Sequence, residues 1–216
     1  MTDIFDEVEE DVRRDQLARI WRRYGHFILA GALIAILAVG GLIFWRNYQL
    51  QRAEADGARF AAAVRLVQAG KLSEAADTFG ALGSEAGSGY RALAVLQAGA
   101  AKAKNKDIAG AIAAYDQLAN DSGADRSLRD LASLLIVLLQ LDTVPAEALD
   151  QRLAPLLGDD NPWHYTAREI SAAVRLKAGD VTAAKDKFRQ LADDATAPAG
   201  IRGRAAEMLA ALGGAT

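Results

Sequence analysis

Three stretches of the chain superpose without a gap: KLSEAADTF at 71–79, DIAGAIAAY at 107–115 and DVTAAKDKF at 180–188. Each sets an aliphatic residue (Leu72, Ile108, Val181) three positions before an alanine (Ala75, Ala111, Ala184). An aromatic follows four later (Phe79, Tyr115, Phe188), then a leucine three beyond it (Leu82, Leu118, Leu191). Steps of three, four and three trace one face of an α-helix, so the spacing predicts three equivalent helices that bury this stripe as a repeat core.

The first two copies are offset by 36 residues and the next two by 73, which leaves room for a degenerate copy between them. The segment near Val144 to Leu156, VPAEALDQRLAPLL, fits it with the aromatic replaced by an aliphatic residue. Upstream of each short helix lies a second helical stretch ending in a polar or glycine turn: Ala53 to Gln68, Tyr90 to Lys104, Leu128 to Leu141, and Trp163 to Lys177. The unit is therefore helix, tight turn, helix. One hairpin cannot bury its own apolar face, whereas about four stacked hairpins share a core and curve around a concave surface lined by their first helices. The run from Leu131 to Leu141 is apolar nearly all round and too short to cross a bilayer, as expected of a central helix covered on both sides; the alternative is an exposed groove for a hydrophobic peptide or a dimer partner.

The pairs Ala75/Phe79, Ala111/Tyr115 and Ala184/Phe188 resemble the second helix of the tetratricopeptide repeat family. The small residue which that family keeps in its first helix corresponds to Ala63, Gly99 and Ala172. The resemblance implies an all-α superhelix that binds other proteins. By analogy with the family's ligand-facing positions, Leu96, Lys104, Glu169 and Lys177 are the candidate partner groove.

The N-terminal quarter differs in kind. From Phe27 to Trp45 the sequence reads FILAGALIAILAVGGLIFW, nineteen residues without a charge, long enough for a helix to cross roughly 30 Å of hydrocarbon. Trp21 and Tyr24 precede this stretch and Trp45 and Tyr48 follow it, where amphipathic rings favour the two headgroup layers. A cleaved signal peptide would have a shorter apolar core and a small-residue cleavage site, but the run ends in WRNY. Arg13, Arg14, Arg19, Arg22 and Arg23 outnumber Arg46, Arg52 and Arg59 on the far side, so the positive-inside rule keeps the N-terminus in the cytoplasm. The expected organisation is a cytoplasmic tail at 1–26, a transmembrane helix at 27–45 and a repeat domain at 46–216. In a bacterium that domain is periplasmic, on an inner-membrane protein with one span. Gly31, Ala35 and Ala38 share a helical face on which another helix could approach closely, including that of a second copy.

This layout, together with the stretch NPW at 161–163, AGD at 178–180 and APAGIRGR at 197–204, resembles the ancillary SecYEG translocon subunit family of bacterial inner membranes, in its alphaproteobacterial form. The resemblance implies a role beside the Sec translocon, with translocon subunits, periplasmic chaperones and exported clients as partners. The alternative is an envelope-assembly or cell-division scaffold that uses the same repeats.

Composition bounds the remaining possibilities. In 216 residues the hydrophobic fraction is 51%, aromatics are 6% and prolines number 4, a mixture that favours helix and excludes a mainly disordered chain. A formal net charge of −3 gives no general attraction to nucleic acid. With no cysteine there is no disulfide, thiolate chemistry or Cys-ligated zinc. Phosphate-cradling glycine motifs and nucleophile elbows are missing too, so no cofactor and no catalytic activity are expected. The segment GDDNPWH at 158–164 offers two carboxylates and an imidazole, but Asn161 as a helix N-cap with Pro162 at the first helical position explains it without a metal.

Overall fold

The computed structural model describes the backbone of residues 3–213 and most side chains from residue 21 onward. Every regular element among them is helical. They are α1 (Asp3–Gln68), α2 (Leu72–Glu85), α3 (Ser88–Lys104), α4 (Ile108–Ala119), α5 (Arg126–Gln140), α6 (Ala146–Leu153), α7 (His164–Lys177), α8 (Val181–Asp193) and α9 (Ala199–Ala211). A 3-10 turn, Ala154–Leu156, extends α6. The chain divides into two compact units, Met1–Arg52 and Ala53–Thr216.

In the first unit the apolar stretch is helical, and its large side chains among the described residues are uncovered, from 56% exposed at Val39 to 74% at Phe44. Among the described residues, one helix is long and apolar enough to cross a membrane. Trp21 and Trp45 are also exposed, and the Tyr48 ring lies tilted against Trp45 with centroids 6.3 Å apart. The side chains of Tyr24, His26, Arg13, Arg14 and Arg19 lie outside the described residues.

The second unit begins with the last part of α1. Residues 53–68 of that helix and α2 form one hairpin, α3/α4 the second, α5/α6 the third and α7/α8 the fourth. Each second helix packs on the first helix of the next hairpin, α2 on α3, α4 on α5, α6 on α7 and α8 on α9. The helix α9 was not legible as an element. It covers the last hairpin by burying Ile201, Ala205 and Leu209 against Ala172, Ala184, Phe188 and Leu191.

Three of the four hairpins turn identically. Gly70, Lys106 and Gly179 adopt φ of 76°, 66° and 81°, and the residue after each donates its N–H back to Leu66, Lys102 or Arg175. That left-handed position is where glycine carries no Cβ penalty. Lys106 is the non-glycine residue holding it. Asp107 and Asp180 then cap α4 and α8 by accepting from the N–H of Gly110 and Ala183. Lys71 occupies the equivalent place with nearly the same backbone and no side-chain cap bond.

In the hairpin cores, a small residue of the first helix faces a large one of the second, sixteen positions on. Ala63 meets Phe79, Gly99 meets Tyr115, Val137 shares a cluster with Leu153, and Ala172 does so with Phe188. Burial pushes the Tyr115 phenol above its ordinary pKa of 10.0. The alanines of the sequence skeleton, Ala75, Ala111 and Ala184, are fully buried. Its aliphatic position is not: Ile108 and Val181 are 40% and 42% exposed, and Leu72 is half-buried. All three are the first residue of their helix, directly after the turn, so the side chain leaves the stripe before the helix has closed over the core. This corrects the expectation that they belong to the repeat core.

The apolar run of α5 is covered on both sides. Ala132 and Ile136 join Val95, Tyr115 and Leu118, while Leu134 and Val137 join Leu149, Leu153, Ala167 and Val174. Its N-terminal end is pinned to the loop before α7. Asn161, 1% exposed, donates to Asp130 at 2.8 Å and accepts from the Trp163 N–H, and the Trp163 indole donates to the Ser127 carbonyl. Asn161 therefore closes a turn, and α7 starts at His164 instead of at Pro162 as the sequence suggested. A buried amide with two strong partners gains more there than as a solvent-facing cap.

Candidate functional site

The first helices of the second and third hairpins each carry an outward stripe. On α3, Leu93, Gln97, Ala100 and Lys104 are exposed at steps of four, three and four, and so form one outward stripe. From α5 the same steps give Leu131 and Leu135, both half-buried, then Leu138 and, in the turn just after the helix, Asp142, both exposed. Counted from the small residues of the cores, Leu93 and Leu131 hold one repeat position, and Ala100 and Leu138 another. The middle two hairpins thus present an aliphatic strip, in which Leu93 is 42% and Leu138 45% exposed. The fourth hairpin presents Thr166 and Ala173 at those positions.

A second row runs across the hairpins. Lys104, Asp142 and Lys177 share one repeat position, and the Lys177 ammonium is bonded to the Asp142 carboxylate of the preceding hairpin. Lys104 is exposed. A polar row therefore borders the aliphatic strip at the C-terminal ends of the first helices, and its charges alternate.

The other two expected groove residues are engaged between hairpins. Leu96 is half-buried against the cluster of Tyr115, Leu118 and Ile136. Glu169 accepts two bonds of 2.7 Å from the Arg204 guanidinium of α9, and its side chain is 19% exposed. Phe60 holds the same repeat position in the first hairpin, where it lies tilted against Tyr90 of α3 with centroids 5.7 Å apart. That position faces the next helix of the stack, which corrects the assignment of Leu96 and Glu169 to an open groove. Helical periodicity alone did not separate Leu93 from Leu96, because both fall on outward-leaning sides of α3. Only the stacking of hairpins decides which one is covered.

The carboxylates and imidazole at 158–164 point at separate partners. Asp159 pairs with Arg168, Asp160 lies 3.9 Å from Arg126, and the His164 ring bonds the Asn161 carbonyl. Among the described residues no three metal-ligating side chains converge. The acids instead tie the loop after the 3-10 turn to α5 and α7.

No curated protein and no solved structure matches the chain. A family does: the tetratricopeptide repeat-like domain matches residues 19–195, a range that takes in the apolar stretch and all four hairpins and stops before α9. With hairpins stacked as described and that match over most of its length, the chain belongs to the tetratricopeptide repeat-like domain family.

Proposed function

We propose that this chain is a membrane-anchored protein–protein interaction module, an accessory component of the Sec translocon whose repeat domain links exported proteins to periplasmic chaperones. The observation that carries the anchor is the uncovered helix at 27–45. Eleven Leu, Ile, Phe and Val side chains there favour bilayer insertion by roughly 3 to 6 kcal/mol together. The interaction role rests on the family's general use as a protein-binding scaffold and on the aliphatic strip of Leu93 and Leu138 with its polar border. An unfolded, largely uncharged segment of an exported chain suits such a strip, because it covers the leucines without stranding a charge. The translocon assignment follows from the likeness in layout and in the stretch from Asn161 to Arg204.

Two measurements test this. Reporters active only in the periplasm or only in the cytoplasm, fused after Thr216, should give activity for the periplasmic one alone. The reverse result rejects the export role. Photo-crosslinkers at positions 93 and 138 in the intact membrane protein should then capture translocon subunits, chaperones or exported clients. Crosslinks dominated by division or cell-wall proteins would instead establish the envelope-scaffold alternative.

A further inference from the structure

Directly after the apolar stretch, Trp45, Tyr48 and Arg52 occupy one side of α1. At 100° per residue they fall within an arc of about 60°. At 1.5 Å per residue Tyr48 stands about 4.5 Å beyond Trp45, and the Arg52 backbone about 10.5 Å beyond it. The Trp45 and Tyr48 rings lie 6.3 Å apart, and the Arg52 guanidinium carbon sits 4.9 Å above the centre of the Tyr48 ring. The arginine is folded back by one turn, so its charge rests at the level of Tyr48 and not at that of its own backbone.

We propose that this face is a binding site for the phosphate of an anionic phospholipid. The inference rests on the membrane span proposed above. If Trp45 marks the hydrocarbon edge, a headgroup layer of roughly 5–7 Å contains Tyr48 and the folded-back guanidinium. A cation–π contact does not consume the N–H donors of the guanidinium, and those donors match two phosphate oxygens. Among the described residues no carboxylate forms an ion pair with Arg52: Glu54 is two positions on and faces elsewhere, and Asp56 accepts from the Gly87 N–H. Arg59, the next basic residue, is already bonded to Glu85 at 2.8 Å. Arg46 lies about 120° around the helix from Arg52 and has no ring beneath it in this arrangement. The aromatic shelf and the N–H donors therefore coincide at Arg52, and a net negative headgroup gains more there than a zwitterionic one.

The test uses the full chain reconstituted into vesicles of equal parts phosphatidylcholine and phosphatidylglycerol, then extracted in mild detergent. Lipids retained per protein are counted by native mass spectrometry. Wild type should retain phosphatidylglycerol over phosphatidylcholine by about fivefold. Arg52→Gln and Tyr48→Leu should abolish most of that preference, while Tyr48→Phe, which keeps the ring, should preserve it. Equal losses from Arg46→Gln and Arg52→Gln with no effect of Tyr48→Leu would overturn the site in favour of diffuse surface attraction. Equal retention of both lipids by wild type would overturn it outright. Alkaline carbonate separates the two levels of inference: a chain stripped from the vesicles has no span, whereas one that stays integral without lipid preference refutes this site alone.

Discussion

A methyl group added at Gly99 would stand 2.4 Å from Cε1 of the Tyr115 ring, so glycine and aromatic fill a single volume between α3 and α4. The same division recurs sixteen residues apart in every hairpin, as Ala63 with Phe79, Val137 with Leu153, and Ala172 with Phe188. The residue sizes compensate. The largest partner on the first helix, Val137, faces the one site where the aromatic is replaced by leucine.

Replacing Gly99 by Ala should therefore destabilise the repeat domain. Alanine gains about 0.8–1 kcal/mol of helix propensity, but overpacking against a ring only 3% exposed costs roughly 1–3 kcal/mol. A net loss of up to about 2 kcal/mol is expected in thermal unfolding of the detergent-solubilised chain. Combining Gly99→Ala with Tyr115→Leu should cost less than the sum of the two single changes, and strict additivity would show that the residues do not share that volume.

The turns yield two stabilising changes. Lys106→Gly should raise stability by about 0.5–1 kcal/mol, because it removes a left-handed Cβ at the position that Gly70 and Gly179 hold elsewhere. Lys71→Asn should add about 0.5–1 kcal/mol by capping α2 as Asp107 and Asp180 cap α4 and α8. A melting temperature unchanged or lowered in both variants would contradict the equivalence of the three turns.

Alkaline pH should loosen the second hairpin. The folded state favours the neutral Tyr115 phenol, so its pKa is raised on folding. The associated stability is complete below the unfolded value of about 10 and is lost as pH rises through the folded value. Tyr115→Phe should flatten the decline in melting temperature above pH 10; an unchanged slope would place the alkaline sensitivity elsewhere.

Much of this was legible because a helix repeats its buried face every three or four residues. Ala75, Phe79 and Leu82 reveal their helix from spacing alone. What was not legible depends on which hairpin lies beside which. Glu169 read as an open charge, and only the presence of α9 pairs it with Arg204. The helix α9 itself was not legible because Ile201, Ala205 and Leu209 form a sparse stripe with a small residue at its centre and no aromatic to mark it. The exposure of Leu93 and Leu138 was not legible for the same reason: it belongs to the stack and not to the helix.

Deleting residues 199–216 should expose Phe188 and Leu191 along the face that α9 covers. Terminal caps keep stacked repeats soluble, so the truncated chain should aggregate or lose protection of α7 and α8 in hydrogen exchange. The milder Arg204→Met, which leaves the Glu169 carboxylate without its fork, should cost about 1 kcal/mol and leave the oligomeric state unchanged. A truncated chain as soluble and protected as the full one would remove the capping role from α9.

The third hairpin is built from weaker material than its neighbours. Its second helix, α6, has eight residues and leucine in place of the aromatic. It is fastened on either side by charge: Arg152 to Asp116 of α4, and Asp150 to Arg175 of α7. A linear array under tension ruptures at its poorest joint, and the ion pairs that supplement the leucine cluster at this joint weaken as ionic strength rises. If a moving polypeptide tugs on this domain, it should part into two blocks on either side of α6, each still locked by an aromatic. Salt would then lower the force at which it gives way.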